Sequence, residues 1–414
     1  MNASLDIDYV RSRFPALGAD HGGDWAYFDN AGGSQVLDGV IERVADYMAT
    51  SPVQVGASYA KSELATQRQD EAAAAMAGFI NAREPAEIIF GPSTTAMIGR
   101  LARALVPTLK RGDEVVVTNL DHESNITPWR RLAQDGVILR EWRVRPETFQ
   151  LHIDDLAPLL NARTRLVCFT QGSNVVGQLT PLAAATRLAH EHGADVCVDG
   201  VACAAHGAID VKACDVDYYT FSTYKVFGPH LAVLYGKRDK LLALANLNHE
   251  FFNRDALPYK LQPGGTAHEL VWGTTGIAAY YRDIGQRAGI AADAPLREHV
   301  EATAAAFATH EHTLAARLLA FLNGKPNVTI IGDTEAGPNR LPTISFTVAG
   351  RDSATIPPQL DPHRIAVRYG HFYAQRLIDD LGLAPKNGVV RVSMAHYNTL
   401  DEVDRLIEHL DPII

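Results

Sequence analysis

Apolar and polar positions along this chain alternate between two rhythms. Short runs rich in Val, Ile and aromatic residues read as strands. They are EIIFG at 87–91, EVVVT within 112–126, VILREWRV at 137–144, RLVCFT within 165–177, ADVCVDG at 194–200, VDYYTF before residue 225, and LAVLYG within 231–241. Between them lie stretches with a helical period, at 36–49, at 62–80, after PSTTAM, and at 182–193, where Gly193 stops the pattern. Strands alternating with helices at this spacing predict an α/β domain with a mostly parallel or mixed central sheet. Polar residues cluster just after the strands, where open sheets of this kind bind ligands.

The rhythm changes after a long helical stretch at 294–322. VTIIG, PTISFTVAG, RIAVRYGHFYAQRL, VVRVSMAHYNT and DEVDRLIEHL then predict a smaller C-terminal α+β domain. The expected division is an arm at 1–20 packing with the small domain, a large ligand-binding domain at 21–290 and the small domain at 291–414.

Composition narrows the classes. Of 414 residues, 47% are hydrophobic and 21% charged, as in a soluble globular protein. A net charge of −10 disfavours nucleic acid and anionic membranes as partners. The N-terminal segment lacks the pattern of a signal peptide, and no run of 18 apolar residues occurs, so a cytoplasmic protein is expected. Cys168, Cys197, Cys203 and Cys214 show no zinc-type pairing. They read as structural thiols, and no metal site is expected.

Several polar residues interrupt apolar surroundings. Lys225 lies just past VDYYTF, and Asp199 closes ADVCVDG. A lysine and an aspartate past two strands reach one crevice, an arrangement that suits a pyridoxal phosphate Schiff base. A solvated lysine and a helix-capping aspartate are the plainer alternatives. Ser93, Thr94 and Thr95 begin a helix, where they either bind an anion or merely cap it. His122 is placed to stack on a flat ring or relay a proton, or else to bond its own loop. Asn174 is a phenolate donor or an ordinary turn residue. Arg391 stands inside an apolar alternation, which calls for a substrate carboxylate or a structural salt bridge; Arg368 is similar.

In order, YFDNAG at 27–32, GPSTTAM at 91–97, GDEVVVTNLDHESNITPW at 112–129, QGSNVVGQLTPL at 171–182, ADVCVDG at 194–200, DVDYYTFSTYKVFGPHLAVLYGK at 215–237 and VRVSMAHYNTLDEVDRLIEHL at 390–410 span nearly the whole chain. This series resembles the class V aminotransferase group of pyridoxal phosphate enzymes of fold type I, in particular the cysteine desulfurase and selenocysteine lyase branch. The resemblance implies Lys225 as the Schiff-base lysine, Asp199 as partner of the ring nitrogen and His122 as the stacking group, together the catalytic set. It implies Asn174 near cofactor and substrate. Thr94, Thr95 and Ser222 match phosphate-cup positions beside Ser93, Tyr224 can offer the phosphate a phenol, and Thr274 resembles a threonine that reaches the phosphate of a neighbouring subunit. A homodimer with shared active sites follows, with Arg391 and Arg368 as carboxylate binders.

The departures are specific. Desulfurases of that branch carry a cysteine on a mobile loop, and here Tyr373 stands in its place, within Gly370-His371-Phe372-Tyr373-Ala374. A phenol cannot accept sulfur as a persulfide, because that step needs a thiolate. Ala202 replaces a glutamine and Tyr224 a histidine of the usual cofactor pocket. The expected activity is therefore chemistry at the α-carbon of a small amino acid, with transamination placed slightly ahead of β-elimination or epimerisation. Tyr373 is a candidate substrate contact.

Overall fold

The computed structural model describes residues 5–262 and 264–414. Residues 1–4 of the expected arm lie outside this range. The rest of the arm forms a helix, Ile7–Ser12, capped by Asp6. Arg11 reaches the Tyr397 carbonyl at 2.8 Å and Glu402 at 2.9 Å, while Phe14 packs against Phe227, Tyr280 and Tyr397.

A short strand β1 (Ala26–Tyr27) comes first. Seven strands then build the large sheet: β2 (Ile88–Gly91), β3 (Glu114–Thr118), β4 (Ile138–Trp142), β5 (Thr164–Thr170), β6 (Asp195–Asp199), β7 (Tyr218–Ser222) and β8 (Ala232–Gly236). Their spatial order is β2-β8-β7-β6-β5-β3-β4. Strands β7, β6, β5, β3 and β4 pair in parallel, and β8 runs against both β7 and β2. Every residue of β2, β3, β7 and β8 is buried, which explains their near-continuous apolar runs: helices cover both faces of such a sheet.

The expected helices form at Asp38–Thr50, Ala60–Phe79, Thr94–Leu105 and Leu182–Glu191. Gly193 takes a left-handed φ of 75° just past the last of these, as a helix-ending glycine does.

The C-terminal part carries β9 (Val328–Ile331), β10 (Thr343–Val348), β11 (Ile365–Ala366), β12 (Arg368–Gly370) and β13 (Val389–Ser393). Strands β12-β13-β10-β9 form an antiparallel sheet, and β11 pairs in parallel with β1. The segment that begins with β1 is thus hydrogen-bonded to the small domain, although it precedes the large sheet in sequence. This is the α/β fold of type I pyridoxal phosphate enzymes, with a large mixed-sheet domain and a smaller α+β domain.

One helix, Leu296–Asn323, joins the two cores. Val300 and Phe307 belong to the core of the large domain, whereas Leu314, Leu318 and Leu322 belong to that of the small one. Among the described residues, no helix is long and apolar enough to cross a membrane, and no cluster of His, Cys, Asp and Glu is arranged to hold a metal ion. All four cysteines are free; Cys168 and Cys197 sit buried on paired positions of β5 and β6.

Candidate active site

The carboxyl ends of β2, β3, β5, β6 and β7 open on one edge of the large sheet, and the loops after them line a cleft. From these loops come Ser93, Thr94, Thr95, His122, Asn174, Asp199, Ser222, Tyr224 and Lys225, all predicted from sequence. The topology itself brings them together, because each follows a strand that points the same way.

At one end lies the start of the helix Thr94–Leu105. Ser93 caps it, its Oγ accepting from the Ala96 N–H at 3.2 Å. Such a helix start leaves N–H groups without intrahelical acceptors and concentrates positive potential. The Thr94 and Ser222 hydroxyls lie 2.8 Å apart beside it, and Thr95 is exposed to the cleft. Ser93 is thus a helix cap, and the hydroxyls of Thr94, Thr95 and Ser222 gather beside the same helix start.

Lys225 ends a single 3₁₀ turn that follows β7. The turn is fixed by Thr223, whose N–H donates to the Leu231 carbonyl at 2.8 Å and whose hydroxyl donates to the Pro229 carbonyl at 2.6 Å. Gly228 allows the close return, since a Cβ there would meet Ile277 at 2.7 Å. Among the described residues no hydrogen bond or ion pair holds the Lys225 amine. Burial, and then the charge of Arg391, lower its pKa to about 8, against a partial upward pull from Asp199 and Asp29. Lys225 is half-buried in the cleft wall, not a free surface lysine.

Asp199 is buried at the end of β6. Its one hydrogen bond among the described residues is from the Val201 N–H to Oδ1, at 2.9 Å. Burial raises its pKa to about 6. His122 does bond its own loop: Nδ1 accepts from the Ser124 N–H at 3.1 Å. That contact places the ring proton on Nε2. Burial and the charges of Lys225 and Arg391 push its pKa down to about 4, so the ring that lines the cleft is neutral.

The predicted carboxylate binders are already engaged. Arg391 is 1% exposed. Its Nη2 pairs with Asp29 at 2.8 Å, its Nη1 donates to the Asn174 carbonyl at 3.1 Å, and its Nε is buried without a partner. Arg368 is 59% exposed and reaches the same Asp29 at 3.4 Å. The Asn174 amide donates to the Phe372 carbonyl at 2.9 Å. Tyr373 is 67% exposed, with its ring centroid 5.2 Å from that of His122. Tyr224 stacks on His230, their ring centroids 4.7 Å apart.

Thr274 is not brought to this cleft. It is fully buried between two helices, its hydroxyl donating to the Val271 carbonyl at 2.7 Å, so it has no surface with which to touch a second subunit.

Three residues escaped sequence reasoning. Asp29 lies inside the quoted YFDNAG run, but its two arginine partners are more than 300 positions away. Asp121 is buried beside His122 and accepts from Thr118 and Asn125; burial raises its pKa to about 8. Its signal was an acid inside an apolar strand end. Phe372 stands in the Gly370–Ala374 run, and nothing in that run signals its contact with Arg391.

The donor set fits pyridoxal phosphate. An unpaired amine, a buried carboxylate with one oxygen free of hydrogen bonds, a flat neutral imidazole and hydroxyls at a helix start share one cleft. The family model of aminotransferase class-V matches residues 26–406. The aminotransferase-like protein FGM3 of Gibberella zeae is 38% identical over the full length of both chains. The cysteine desulfurase-like protein ustD of Aspergillus flavus is 35% identical, over 99% of this chain and 91% of its own. The apo structure of a cysteine desulfurase from Thermococcus onnurineus superposes with a TM-score of 0.86 at 26% identity, covering 100% of this chain and 99% of the other. A cleft built for pyridoxal phosphate, on a fold and a sequence shared over their whole length with these proteins, shows that the chain belongs to the class V aminotransferase family of pyridoxal phosphate enzymes, in its cysteine desulfurase-like branch.

Proposed function

We propose that this enzyme removes the Cα proton of a small amino acid and expels a β-substituent, without passing sulfur to a loop thiol. The names of the desulfurase-like relative and of the solved desulfurase support elimination over transamination, which the sequence reading placed slightly ahead. The observation that carries the second half is Tyr373 at the cleft mouth. No thiol stands there, and Cys203 is buried with its pKa raised further by burial.

Bound pyridoxal phosphate supplies an electron sink that acidifies the substrate Cα–H. In this reading Lys225 holds the cofactor's carbonyl carbon and, once released, takes the Cα proton on Nζ. A pKa near 8 keeps a useful fraction of that amine neutral at physiological pH. Asp199 holds the ring nitrogen with its free oxygen. The flat ring of His122 covers one face, and its Nε2–H serves as a donor toward the leaving substituent. Ser93, Thr94, Thr95, Ser222 and Tyr224 receive the phosphate. Arg391, Arg368 and Asn174 orient the substrate carboxylate, and Tyr373 meets its side chain. A homodimer completes the proposal, without a role for Thr274.

A single-turnover screen of amino acids, read by cofactor absorbance and product mass, tests it. Ammonia, a keto acid and a released β-substituent are expected, with the starting spectrum restored. Accumulation of pyridoxamine phosphate with one equivalent of keto acid would establish transamination instead.

A further inference from the structure

Phe372 occupies two of the three groups assigned to the substrate carboxylate, Asn174 and Arg391. Its carbonyl accepts from the Asn174 amide at 2.9 Å, and the Arg391 guanidinium carbon lies 3.7 Å from the centroid of its ring. The other capacity of Arg391 is taken by Asp29 and the Asn174 carbonyl, and its Nε is buried without a partner. A carboxylate arriving here finds one guanidinium face covered and the amide already donating.

The segment that carries Phe372 is held by core packing of Phe372 and Ala374 and by local hydrogen bonds. The Tyr373 carbonyl accepts from the Glu123 N–H at 2.8 Å, and the Tyr373 N–H donates to His371 Nδ1 at 3.0 Å. Phe372 and Tyr373 have φ of 51° and 60°, consecutive left-handed conformations that bulky residues adopt at a cost. Beside them runs an open groove lined by apolar Val367, Ile378 and Pro357 and by polar Arg368, His371 and Gln375. It offers the displaced ring room to go.

We infer that Phe372 is a latch that the α-carboxylate of an incoming amino acid must displace, exchanging its carbonyl for the ligand on Asn174 and uncovering Arg391. The inference rests on the proposed role of Arg391 and Asn174 as carboxylate binders. An amine without a carboxylate offers neither group anything in return, so the latch favours amino acids that complete the exchange.

The test uses holoenzyme titrated with L-alanine and with ethylamine, read by the cofactor absorbance. Phe372→Ala is expected to tighten L-alanine at least threefold and to leave ethylamine within twofold of wild type. A residue that merely packs would weaken both, and that result, or an unchanged L-alanine affinity, overturns the latch. A Glu123→Cys/Tyr373→Cys pair, oxidised to hold the segment shut, is expected to weaken L-alanine at least tenfold, with recovery in dithiothreitol. Wild-type affinity in the oxidised form also overturns it. Arg391→Lys separates the two layers. Undiminished L-alanine binding there overturns the carboxylate reading and the latch with it, whereas weakened binding with an unchanged Phe372→Ala overturns the latch alone.

Discussion

Arg391 and Asp29 meet where the two domains join, Nη2 to Oδ1 at 2.8 Å. Arg391 lies on the small-domain strand β13, and Asp29 follows β1. Asp29 → Asn leaves the buried guanidinium with weaker compensation, which costs about 3 kcal/mol when a buried pair is broken. We expect a lower urea midpoint and a raised KM for amino acids, with Arg391 displaced from its carboxylate-binding position. An unchanged midpoint and KM would show that the pair is dispensable.

Covalent capture of pyridoxal phosphate by apo-protein should follow the titration of Lys225. Only the neutral amine attacks a carbonyl. With a pKa of about 8, the rate should climb with pH below that value and level off above it. Arg391→Gln removes a lowering charge and moves the inflection up, and Asp199→Asn removes a raising charge and moves it down. Absorbance of the visible band in stopped flow reads both shifts. Lys225→Ala should lack the band altogether.

Glu114 supplies a stability test far from the cleft. It is fully buried at the start of β3 and accepts from Arg140 at 2.9 Å and Arg163 at 2.6 Å. Hydrogen bonding from Arg140 leads the effects that hold its pKa near 2, against an ordinary 4.5. The folded pKa is depressed, so its stabilisation is present above pH 4.5 and is lost as pH falls toward 2. Glu114→Gln should therefore cost about 2 kcal/mol at neutral pH. The gap from wild type should close on acidification, as denaturant midpoints at several pH values would reveal.

Tyr373→Phe should alter the ranking of kcat/KM across an amino-acid panel while leaving cofactor content unchanged. The phenol is exposed beside His122 and packs into no core. Identical rankings for both proteins would remove it from the substrate site.

The sheet, its helices and most of the cleft were legible because each rests on local sequence. A buried strand shows as an apolar run, and the polar residue that ends it falls on the active edge. Lys225, Asp199 and Ser93 were visible for that reason. The partners of Arg391 were not. Asp29 sits more than 300 residues away, and a parallel bridge from Asp29 to Ser393 on β13, continuing the pairing of β1 with β11, brings it near. Phe372 hid for a different reason: its effect comes from a left-handed backbone at two consecutive bulky residues, which no pattern of apolar positions encodes. Thr274 failed because a motif match says nothing of burial.

The helix Leu296–Asn323 acts as a splint. Its first half is rooted in one core and its second half in the other. A clamshell motion of the two domains would have to bend this rod or draw side chains such as Leu314 or Phe307 out of their sockets, at about 1.5–3 kcal/mol for each large one exposed. Breathing of the whole molecule is thus an expensive way to admit a substrate. The latch proposed at Phe372 asks only a short segment to move, and the splint is what makes that the smaller motion.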